Sequence, residues 1–305
     1  MALDVSLRLL RTFVAVAETG HVGRAAQRLF VSQPSVSQDI RRLERAARVE
    51  LFERTSRGME LTPAGAAMLT GVRNGLLAVD RGATEAAALG GVVTRSVSIA
   101  FSPSVGNRLM PALIPTLVRA LPGIAMDERE VDTGEVGPGV RDGRFDLGIA
   151  HCPSAESELH ATPLFAEPAC VAIAADHPLA RRSTATVADL EGLDLVLWPR
   201  DTAPDYYDHL LSICASTGQP PRVVPGPRRA IIRSYLLSSR STFCLLPAST
   251  ASLTVPGVAF VPLTDDAARI PLMALRRRDD ARPDVLAIEQ LARVHAASLL
   301  AGGAA

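Results

Sequence analysis

Residues 33–42 carry hydrogen-bonding side chains at a spacing that places them on the outside of one helix. They are Gln33, Ser35, Ser37, Gln38, Arg41 and Arg42. Glutamine and arginine form bidentate hydrogen bonds with adenine and guanine edges, and serine bonds either a base or a phosphate. The row therefore predicts a surface that binds duplex DNA, with Gln33, Ser37 and Gln38 on base edges and the other residues on edges or phosphates.

The elements that must position this row are two short helices joined by a tight turn. Ser32 is a favourable N-cap for the second helix, and Pro34 falls in its first turn, where a missing N–H costs nothing. Both residues belong to the predicted DNA surface. Apolar side chains at spacings of three and four are Ala25, Ala26 and Leu29 on the first helix and Val31, Val36, Ile40 and Leu43 on the second. We interpret the segment as a helix-turn-helix, preceded by a helix from about Leu7 to Thr19 that Gly20 closes.

Residues 51–62 alternate in polarity around Ser56-Arg57-Gly58, which predicts a hairpin wing. Arg54 and Arg57 on this wing are positioned to bind phosphates or the minor groove. An ordinary solvated hairpin without a DNA contact is the alternative.

A long helix is predicted from Thr62-Pro63 to Gly90-Gly91. Its apolar residues at spacings of three and four are Leu69, Val72, Leu76, Val79, Ala83 and Ala86. Such a heptad seam favours pairing with a second chain. Packing against the C-terminal part of the same chain is the alternative.

From Arg95 onward, strands and helices alternate, which indicates an α/β domain with parallel sheets and ligand sites at strand carboxyl ends. The predicted strands are Val97–Phe101, Ile124–Val131, Asp146–His151, Ala169–Ala174, Asp194–Trp198, Arg222–Val224, Phe243–Leu246, Val258–Val261 and Pro271–Arg276. The predicted helices are Pro111–Leu121, Thr186–Glu191, Pro204–Thr217, Arg228–Ser238 and Pro283–Leu300. Proline-bearing corners near 163–168 and 262–271 are expected to connect two lobes.

Composition and charge restrict the class of protein. The chain of 305 residues is 48% hydrophobic, enough for two or three folded units. The net charge is zero, but residues 1–65 hold ten arginines against seven acidic groups, or +3. No apolar run approaches the roughly 18 residues of a membrane span, and the N-terminus has no signal-peptide layout. We therefore expect a cytoplasmic protein with a mildly basic head and no membrane partner.

Known catalytic and cofactor motifs are missing from the sequence. It contains no G-x-S-x-G, H-E-x-x-H, Walker loop or C-x-x-C, and Gly137-x-Gly139-x-x-x-Gly143 departs from the dinucleotide fingerprint. We therefore predict no enzyme, no catalytic residue, no metal and no cofactor. The four cysteines are expected to be packed free thiols.

The motifs of the head and of the C-terminal part together resemble the LysR-type transcriptional regulators along the whole chain. The head matches in the AA-x-x-L-x-x-SQP-x-x-S-x-x-I-x-x-LE run from Ala25 to Glu44, in Leu51-Phe52-x-Arg54 and in Leu61-Thr62-x-x-Gly65. The C-terminal part matches in Leu109-Met110-Pro111, in the strand from Gly143 to Ile149, in Asp176-His177-Pro178-Leu179 and in Leu245-Leu246-Pro247-Ala248-Ser249. Pro199 and residues 258–263 are most similar to the branch that controls the catabolism of aromatic compounds.

The resemblance implies a domain organisation and partners. We expect a winged helix-turn-helix at residues 1–62, a linker helix at 63–92 and an effector-binding domain at 93–305. This last domain is of the two-lobed, periplasmic-binding-protein-like α/β class, with one lobe at about 93–166 and 268–305 and the other at about 167–267. The implied partners are double-stranded promoter DNA, a small-molecule effector and further copies of the chain in a dimer or homotetramer, with RNA polymerase as another candidate.

The resemblance also implies an effector site between the lobes, near strand ends. Transferred residue by residue, the site comprises Ser102, Ser104, Thr133, His151, Pro199, Arg200 and Thr202. Arg200 is the one charged candidate, and a free guanidinium binds a carboxylate bidentately. For each residue the alternative is an ordinary cap or turn, and for His151 a structural histidine.

Three departures from the family pattern accompany the resemblance. Ala47-Arg48 stands where a glycine usually precedes the Leu-Phe pair, and residues 239–242 replace a glycine-rich turn. Gly137-Pro138-Gly139 is expected to interrupt a segment that is usually helical.

Two other function classes stay open at this point. A thiol-based redox sensor needs a cysteine of low pKa near positive charge, and Cys152 beside His151 is the best candidate. A protein that only sequesters a metabolite would not need the predicted DNA-binding helix that begins after Ser32.

Overall fold

The computed structural model describes residues 5–301, apart from 56–57, 91–94, 155, 217–220 and 227–239. Contacts divide the chain into two units, Met1–Val93 and Thr94–Ala305. The predicted helix at Arg228–Ser238 and Arg57 of the predicted wing lie outside the described residues. No helix within the described ranges is long and apolar enough to span a bilayer.

The N-terminal unit is a three-helix head followed by a hairpin and a long helix. Its elements are α1 (Leu7–Thr19), α2 (Val22–Leu29), α3 (Gln33–Ala47), β1 (Phe52–Thr55), β2 (Gly58–Leu61) and α4 (Pro63–Leu89). The predicted first helix is confirmed, and Gly20 ends it with a φ of 62°. Ser32 caps α3 by accepting a hydrogen bond from the N–H of Ser35.

The core of the head joins all three helices to the hairpin. Phe13 of α1 is fully buried and meets Phe52 of β1 edge to face, with ring centroids 5.4 Å apart. A side-chain oxygen of Glu44 accepts hydrogen bonds from the N–H groups of Leu51 and Phe52, at 3.0 and 3.3 Å. A Cβ on Gly65 would collide with the backbone oxygen of Leu51, which explains the glycine of the Leu-Thr-x-x-Gly motif.

The apolar seam of α4 divides into two parts. Val72 and Leu76 are buried in the core of the head of the same chain, with Leu69 packed beside them. Val79 is 46% exposed, and the small residues further along the seam, Ala83 and Ala86, are also exposed. The N-terminal part of the seam therefore packs in the core of the head, whereas the part from Val79 onward forms an exposed apolar stripe.

The C-terminal unit alternates strands and helices as predicted. Its strands are β3 (Arg95–Phe101), β4 (Ile124–Glu130), β5 (Leu147–His151), β6 (Leu159–Ala174), β7 (Asp194–Leu197), β8 (Val223–Pro225), β9 (Thr242–Pro247), β10 (Val258–Pro262) and β11 (Arg269–Arg277). Its α-helices are α5 (Pro103–Gly106), α6 (Leu109–Ala120), α7 (Thr133–Arg141), α8 (Pro204–Ala215) and α9 (Pro283–Ala301). The predicted helix at 186–191 is a 3₁₀ turn, Val187–Leu190.

The sheet is mixed, which corrects the expectation of parallel sheets. Its order is β4-β3-β5-β11-β6-β9-β7-β8, with β10 also paired to β6. The pairs of β3 with β4 and β5, and of β7 with β8 and β9, are parallel. By contrast, β11 and β6 run antiparallel to their neighbours because they carry the chain between the two halves of the sheet.

Two lobes share this sheet, and each has a core of its own. The first lobe packs α6 and α9 against β3, β5 and β11, around Ile99, Leu113 and Ile288. The second lobe packs α8 against β6, β7 and β9, around Leu195 and Phe243.

The predicted proline corner at 163–168 is instead part of the continuous strand β6. This strand pairs with β11 along its first part and with β9 and β10 along its last part. A register shift beside Leu272 and Met273 accommodates Leu164 as an extra residue. A single strand therefore passes from one lobe to the other.

Helix α7 is continuous from Thr133 to Arg141, so the expected interruption at Gly137-Pro138-Gly139 is wrong. Gly137 and Gly139 are buried. A Cβ on Gly139 would lie 2.5 Å from the Phe145 ring. These glycines therefore permit close packing of the helix, and tertiary contacts outweigh their low helix propensity.

We expect Gly139→Ala to lower the free energy of unfolding of the C-terminal unit by about 1–3 kcal/mol, because the added methyl group must displace Phe145. Thermal unfolding of the full chain, followed by the fluorescence of its single tryptophan, Trp198, measures this change. Gly123→Ala is the matched control, because a Cβ at Gly123 meets nothing within 4 Å. Equal stability of the two variants would contradict the packing role of Gly139.

Candidate DNA-binding and effector sites

The first turns of α3 present the predicted reading residues to solvent. Gln33, Pro34 and Gln38 are exposed, and so is the capping residue Ser32. Ser37 is half-buried. In a helix-turn-helix the N-terminal residues of the second helix contact base edges in the major groove, and this end of α3 has the side chains for that task.

A partly buried ion pair, between exposed Arg8 and buried Asp39, fixes α3 against α1. Nε and Nη2 of Arg8 donate to the two carboxylate oxygens of Asp39, at 3.0 and 3.1 Å, and the Asp39 side chain is only 4% exposed. Nη2 of Arg8 also donates to Ser35 Oγ at 3.1 Å. Ser35 is therefore already used in positioning the helix, a role that its predicted DNA contact did not include.

The arginines of the head fall into two groups. Arg8, Arg11, Arg28 and Arg73 form ion pairs with acidic groups of the same unit. By contrast, Arg41, Arg42 and Arg54 are exposed and have no carboxylate partner within the part of the chain that the structure describes. Exposed α2 residue Arg24, which the sequence analysis missed, belongs to this second group. The second group lies on α2, α3 and the wing, where phosphates are the natural partners.

The turn between α2 and α3 presents an aromatic ring. Phe30 is 95% exposed and has a left-handed backbone with φ 55°. Val31, placed by the sequence analysis on the apolar ridge of α3, is 42% exposed. It lies in the turn before the N-cap, where its N–H donates to the oxygen of Ala26. Arg48, in place of the usual glycine after α3, has a φ of 58°.

In the C-terminal unit, the predicted effector residues of the first lobe follow the ends of β3 and β5. Ser102 is fully buried at the end of β3, and Ser104 lies one turn further on. Ser104 Oγ lies 2.9 Å from His151 Nδ1, at the end of β5. Thr133 opens α7 and is half-buried. The structure therefore brings Ser102, Ser104 and His151 together.

His151 is one half of a buried polar pair that the sequence analysis did not identify. Its Nε2 lies 3.1 Å from Glu167 Oε2, and the two residues are 1% and 4% exposed. Burial raises the pKa of the Glu167 carboxyl, but the hydrogen bonds and charge of His151 and the hydrogen bonds of Ser249 outweigh it, so the pKa lies below its ordinary value. The second oxygen of Glu167 accepts from the N–H of Ser249, in the 3₁₀ turn Ala248–Ser252 of the second lobe.

Two aromatic rings of the second lobe, Tyr206 and Trp198, pack beside His151 and are called the aromatic wall below. The Tyr206 ring stacks on His151, with centroids 6.2 Å apart, and the Trp198 ring lies 5.1 Å from Tyr206. Trp198 follows the last residue of β7, and its place at a strand carboxyl end is the signal that could have identified it as a candidate effector-site residue. Tyr206 and Glu167 had no comparable signal, because their roles depend on contacts between distant segments.

The guanidinium of Arg200, the expected carboxylate clamp, forms an exposed ion pair with Asp208. Its Nε donates to Asp208 Oδ1 at 2.8 Å, its Nη2 donates to the second oxygen, and its side chain is 60% exposed. The acidic residue lies eight positions along the chain on α8, so the sequence alone did not reveal the pairing. Pro199 and Thr202 flank Arg200 in a 3₁₀ turn of the second lobe.

The two lobes approach closely beside Thr133. A Cβ on Gly134 would collide with the backbone oxygen of Thr202. Only glycine permits this approach of α7 to the 3₁₀ turn Arg200–Thr202. The predicted residues Thr133 and Thr202, from different lobes, are thus neighbours across the cleft.

The cysteines lack the environment of reactive thiols. Cys170, Cys214 and Cys244 are buried, and Cys152 is half-buried. Burial raises the pKa of Cys152, Cys170 and Cys214 to about 12, and it raises that of Cys244 as well. A thiol this weakly acidic forms little of the thiolate that reacts with oxidants.

Family models match both units of the chain. The model "Bacterial regulatory helix-turn-helix protein, lysR family" matches residues 7–66, and the model "LysR substrate binding domain" matches residues 90–297. Curated relatives include the transcriptional regulator IlvR of Caulobacter vibrioides, 33% identical over 94% of this chain and 97% of the relative. Another is TfdS of Cupriavidus pinatubonensis, 30% identical over 95% of this chain and 98% of the relative.

Solved structures show the same fold. CbnR, a LysR family transcriptional regulator, matches with a TM-score of 0.73 over 96% of this chain and 99% of its own, at 24% identity. Full-length CbnR in complex with its target DNA matches with a TM-score of 0.69 at 24% identity, over 96% of this chain and all of CbnR. The effector-binding domain of BenM with its effector benzoate matches with a TM-score of 0.59 at 23% identity, over 68% of this chain and 94% of that domain.

The chain belongs to the LysR family, and the resemblance inferred from its motifs is confirmed. It is a LysR-type DNA-binding transcriptional regulator with an N-terminal helix-turn-helix and a two-lobed α/β substrate-binding domain. Its curated relatives named above are transcriptional regulators.

We expect the native protein to resist thiol alkylation. A pKa of about 12 in place of 9.0 leaves Cys152, Cys170 and Cys214 with about a thousandfold less thiolate than an ordinary cysteine at the same pH. Timed treatment with iodoacetamide at pH 8, followed by mass spectrometry, measures the rate at each thiol. The same protein in urea is the control, and labelling of native Cys152 as fast as in urea would show a reactive thiol.

Proposed function

We propose that this LysR-type regulator is switched by a small organic acid, derived from an aromatic compound, that binds between the lobes of its C-terminal unit. The observation that supports the proposal most directly is the hydrogen-bonded chain Ser104–His151–Glu167–Ser249, which begins in the first lobe and ends in the second. A ligand that contacts both ends of this series of hydrogen bonds has different affinities for the open and closed arrangements of the lobes. Unequal affinity for two conformations is the condition for a switch.

Hydroxyl groups are the proposed donors to the acid. Ser102 and Ser104 follow β3, Thr133 follows the neighbouring parallel strand β4, and Thr133 begins the nine-residue helix α7, whose N-terminus favours an anion. Arg200 has no role as a clamp in this proposal, because Asp208 already occupies its guanidinium. Pro199 and Thr202 contribute from the second lobe.

Similarity to proteins with known ligands supports an aromatic-derived acid. The effector-binding domain of BenM was solved with benzoate, and its fold matches this unit. The raised pKa values of all four thiols favour ligand binding over thiol oxidation as the signal.

At the DNA, Gln33, Ser37 and Gln38 are proposed on base edges, with Pro34 beside them in the first turn of α3. The residues proposed on phosphates or edges are Ser32, Ser35, Arg41, Arg42, Arg54 and Arg57. CbnR, which has the same fold, was solved with its target DNA. Helix α3 is proposed to act in the cytoplasm, where bacterial promoter DNA is found, with RNA polymerase as a further partner.

The exposed part of the α4 seam supports pairing of two chains. Val79, Ala83 and Ala86 leave an apolar stripe that a second copy would cover. A dimer presents two heads to two half-sites about one helical turn, or a multiple of it, apart, so the operator is near-palindromic. We propose that effector domains then join dimers into a tetramer.

Gln33→Ala is expected to cost about 1–3 kcal/mol in operator affinity and to relax sequence preference at one base pair of each half-site. Gel shifts of the full chain, on the intergenic DNA beside its gene and on single-base variants of it, measure both effects. Gln290→Ala, at an exposed position of α9, is the matched control. Unchanged affinity across all operator variants would contradict the base contact.

Ser104→Ala is expected to weaken acid binding about tenfold, because it removes one hydrogen bond from a buried site. Arg200→Ala should leave binding within about threefold of the native value, since Asp208 occupies the guanidinium. Calorimetric titration of the full chain with benzoate and a panel of related carboxylates measures both, with Ser298→Ala on α9 as the control. The proposed site is wrong if Ser104→Ala binds normally while Arg200→Ala loses binding.

A further inference from the structure

Four buried polar atoms have no hydrogen-bond partner among the described residues, and all four belong to the second lobe. They are Trp198 Nε1, Thr202 Oγ1, Ser249 Oγ and Thr250 Oγ1. A buried polar atom without a partner costs about 1–3 kcal/mol, so native proteins keep few of them. Their concentration in one region points to a ligand that supplies the missing partners.

These atoms surround the cleft already described. Ser249 donates its N–H to Glu167, which pairs with His151, and His151 in turn bonds Ser104 of the first lobe. The turn that holds Ser249 and Thr250 lies against α5 of the first lobe.

The other two atoms reach the same cleft from a second direction. Trp198 contacts Tyr206, whose ring stacks on His151. Thr202 meets Gly134, the neighbour of Thr133. All four atoms therefore belong to segments of the second lobe that border this cleft, opposite the first-lobe segments that carry Ser104 and Thr133.

The chemistry of the four atoms restricts that ligand. An indole N–H only donates, so Trp198 requires an acceptor, and the three hydroxyls can donate to the same group. The carboxylate of Glu167, held below its ordinary pKa, accepts the N–H of Ser249. A second carboxylate placed on Ser249 would be repelled by Glu167 at short range in a buried site. A neutral carbonyl oxygen has two lone pairs, so it accepts from the indole N–H and from one hydroxyl without this repulsion, and the remaining hydroxyls bond other parts of the ligand or ordered water.

We propose that Trp198, Thr202, Ser249 and Thr250 form a second subsite that binds a neutral carbonyl oxygen of the effector, so that the effector is an oxo acid. This inference rests on the proposed function, because the acid group of the same molecule occupies the hydroxyls of the first lobe. Specificity then arises from the second lobe, since a site built to hydrogen-bond a group strongly rejects analogues that lack it.

Matched acids test the subsite in calorimetric titrations of the full chain. One series is hexanoate, 5-oxohexanoate and hexanedioate, and the other is benzoate, 3-acetylbenzoate and benzene-1,3-dicarboxylate. The oxo acid of at least one series is expected to bind tenfold or more tightly than both its parent acid and the dicarboxylate. Trp198→Phe, which keeps a ring and removes the N–H, should reduce that advantage to threefold or less by weakening the oxo acid more than the parent acid.

Ser249→Ala gives a second test that does not disturb the aromatic wall, because its Oγ makes no hydrogen bond within the described residues while its N–H holds Glu167. It too should reduce the oxo-acid advantage, whereas Ser298→Ala on the exposed face of α9 should not.

Three results would overturn the inference. One is equal binding of the parent and oxo acids to the native protein, and another is tightest binding of the dicarboxylate. The third is equal weakening of the parent and oxo acids by Trp198→Phe, which would show a packing role. In each of these three cases, the proposed function would still be supported if Ser104→Ala weakened binding of the parent acid. Binding of no acid in either series would contradict both the oxo-acid inference and the proposed function.

Discussion

The arrangement of the C-terminal unit depends on the buried pair of His151 and Glu167. A buried carboxylate is costly unless every oxygen has a partner, and here one oxygen accepts from His151 and the other from Ser249. His151 ends β5, whereas Glu167 lies on β6, the strand that passes from one lobe to the other. The hydrogen bonds to this one carboxylate therefore hold the end of β5 in the first lobe close to the turn of Ser249 in the second lobe. Candidate effector residues of both lobes lie near this point.

Both candidate sites include polar groups that have no protein partner among the described residues. In the head, the arginines that support helices are paired with carboxylates, whereas Arg41, Arg42 and Arg54 have no such partner in the described part of the chain. In the cleft, hydroxyls and an indole N–H are buried without partners among the described residues. A buried polar group without a partner lowers stability, so its retention in the cleft is best explained by a ligand, whereas the exposed arginines are hydrated and available to phosphates.

Local signals predicted the head almost completely. Ser32, Gly20 and the apolar spacing located α1 and α3 because capping and amphipathic periodicity act within a few residues. Elsewhere the expectations failed where packing outweighed local preference. Helix α7 continues through two glycines because Gly139 must fit against Phe145, and Val31 is exposed because it lies in the turn and not on the helix. The partner of Arg200 could not be read from spacing alone.

The sequence by itself determined the family, the helix-turn-helix and the positions of the hydroxyls after β3 and β4, since each depends on motifs or on residues close together in the chain. Only the tertiary structure decided which polar groups are free to bind. In the folded chain Asp208 pairs with Arg200, Glu167 bonds His151 16 residues away, and Trp198 and Ser249 each keep a buried atom without a partner in the described part of the chain. The physical reason is that pairing and burial depend on contacts between distant segments, and a linear pattern does not record them.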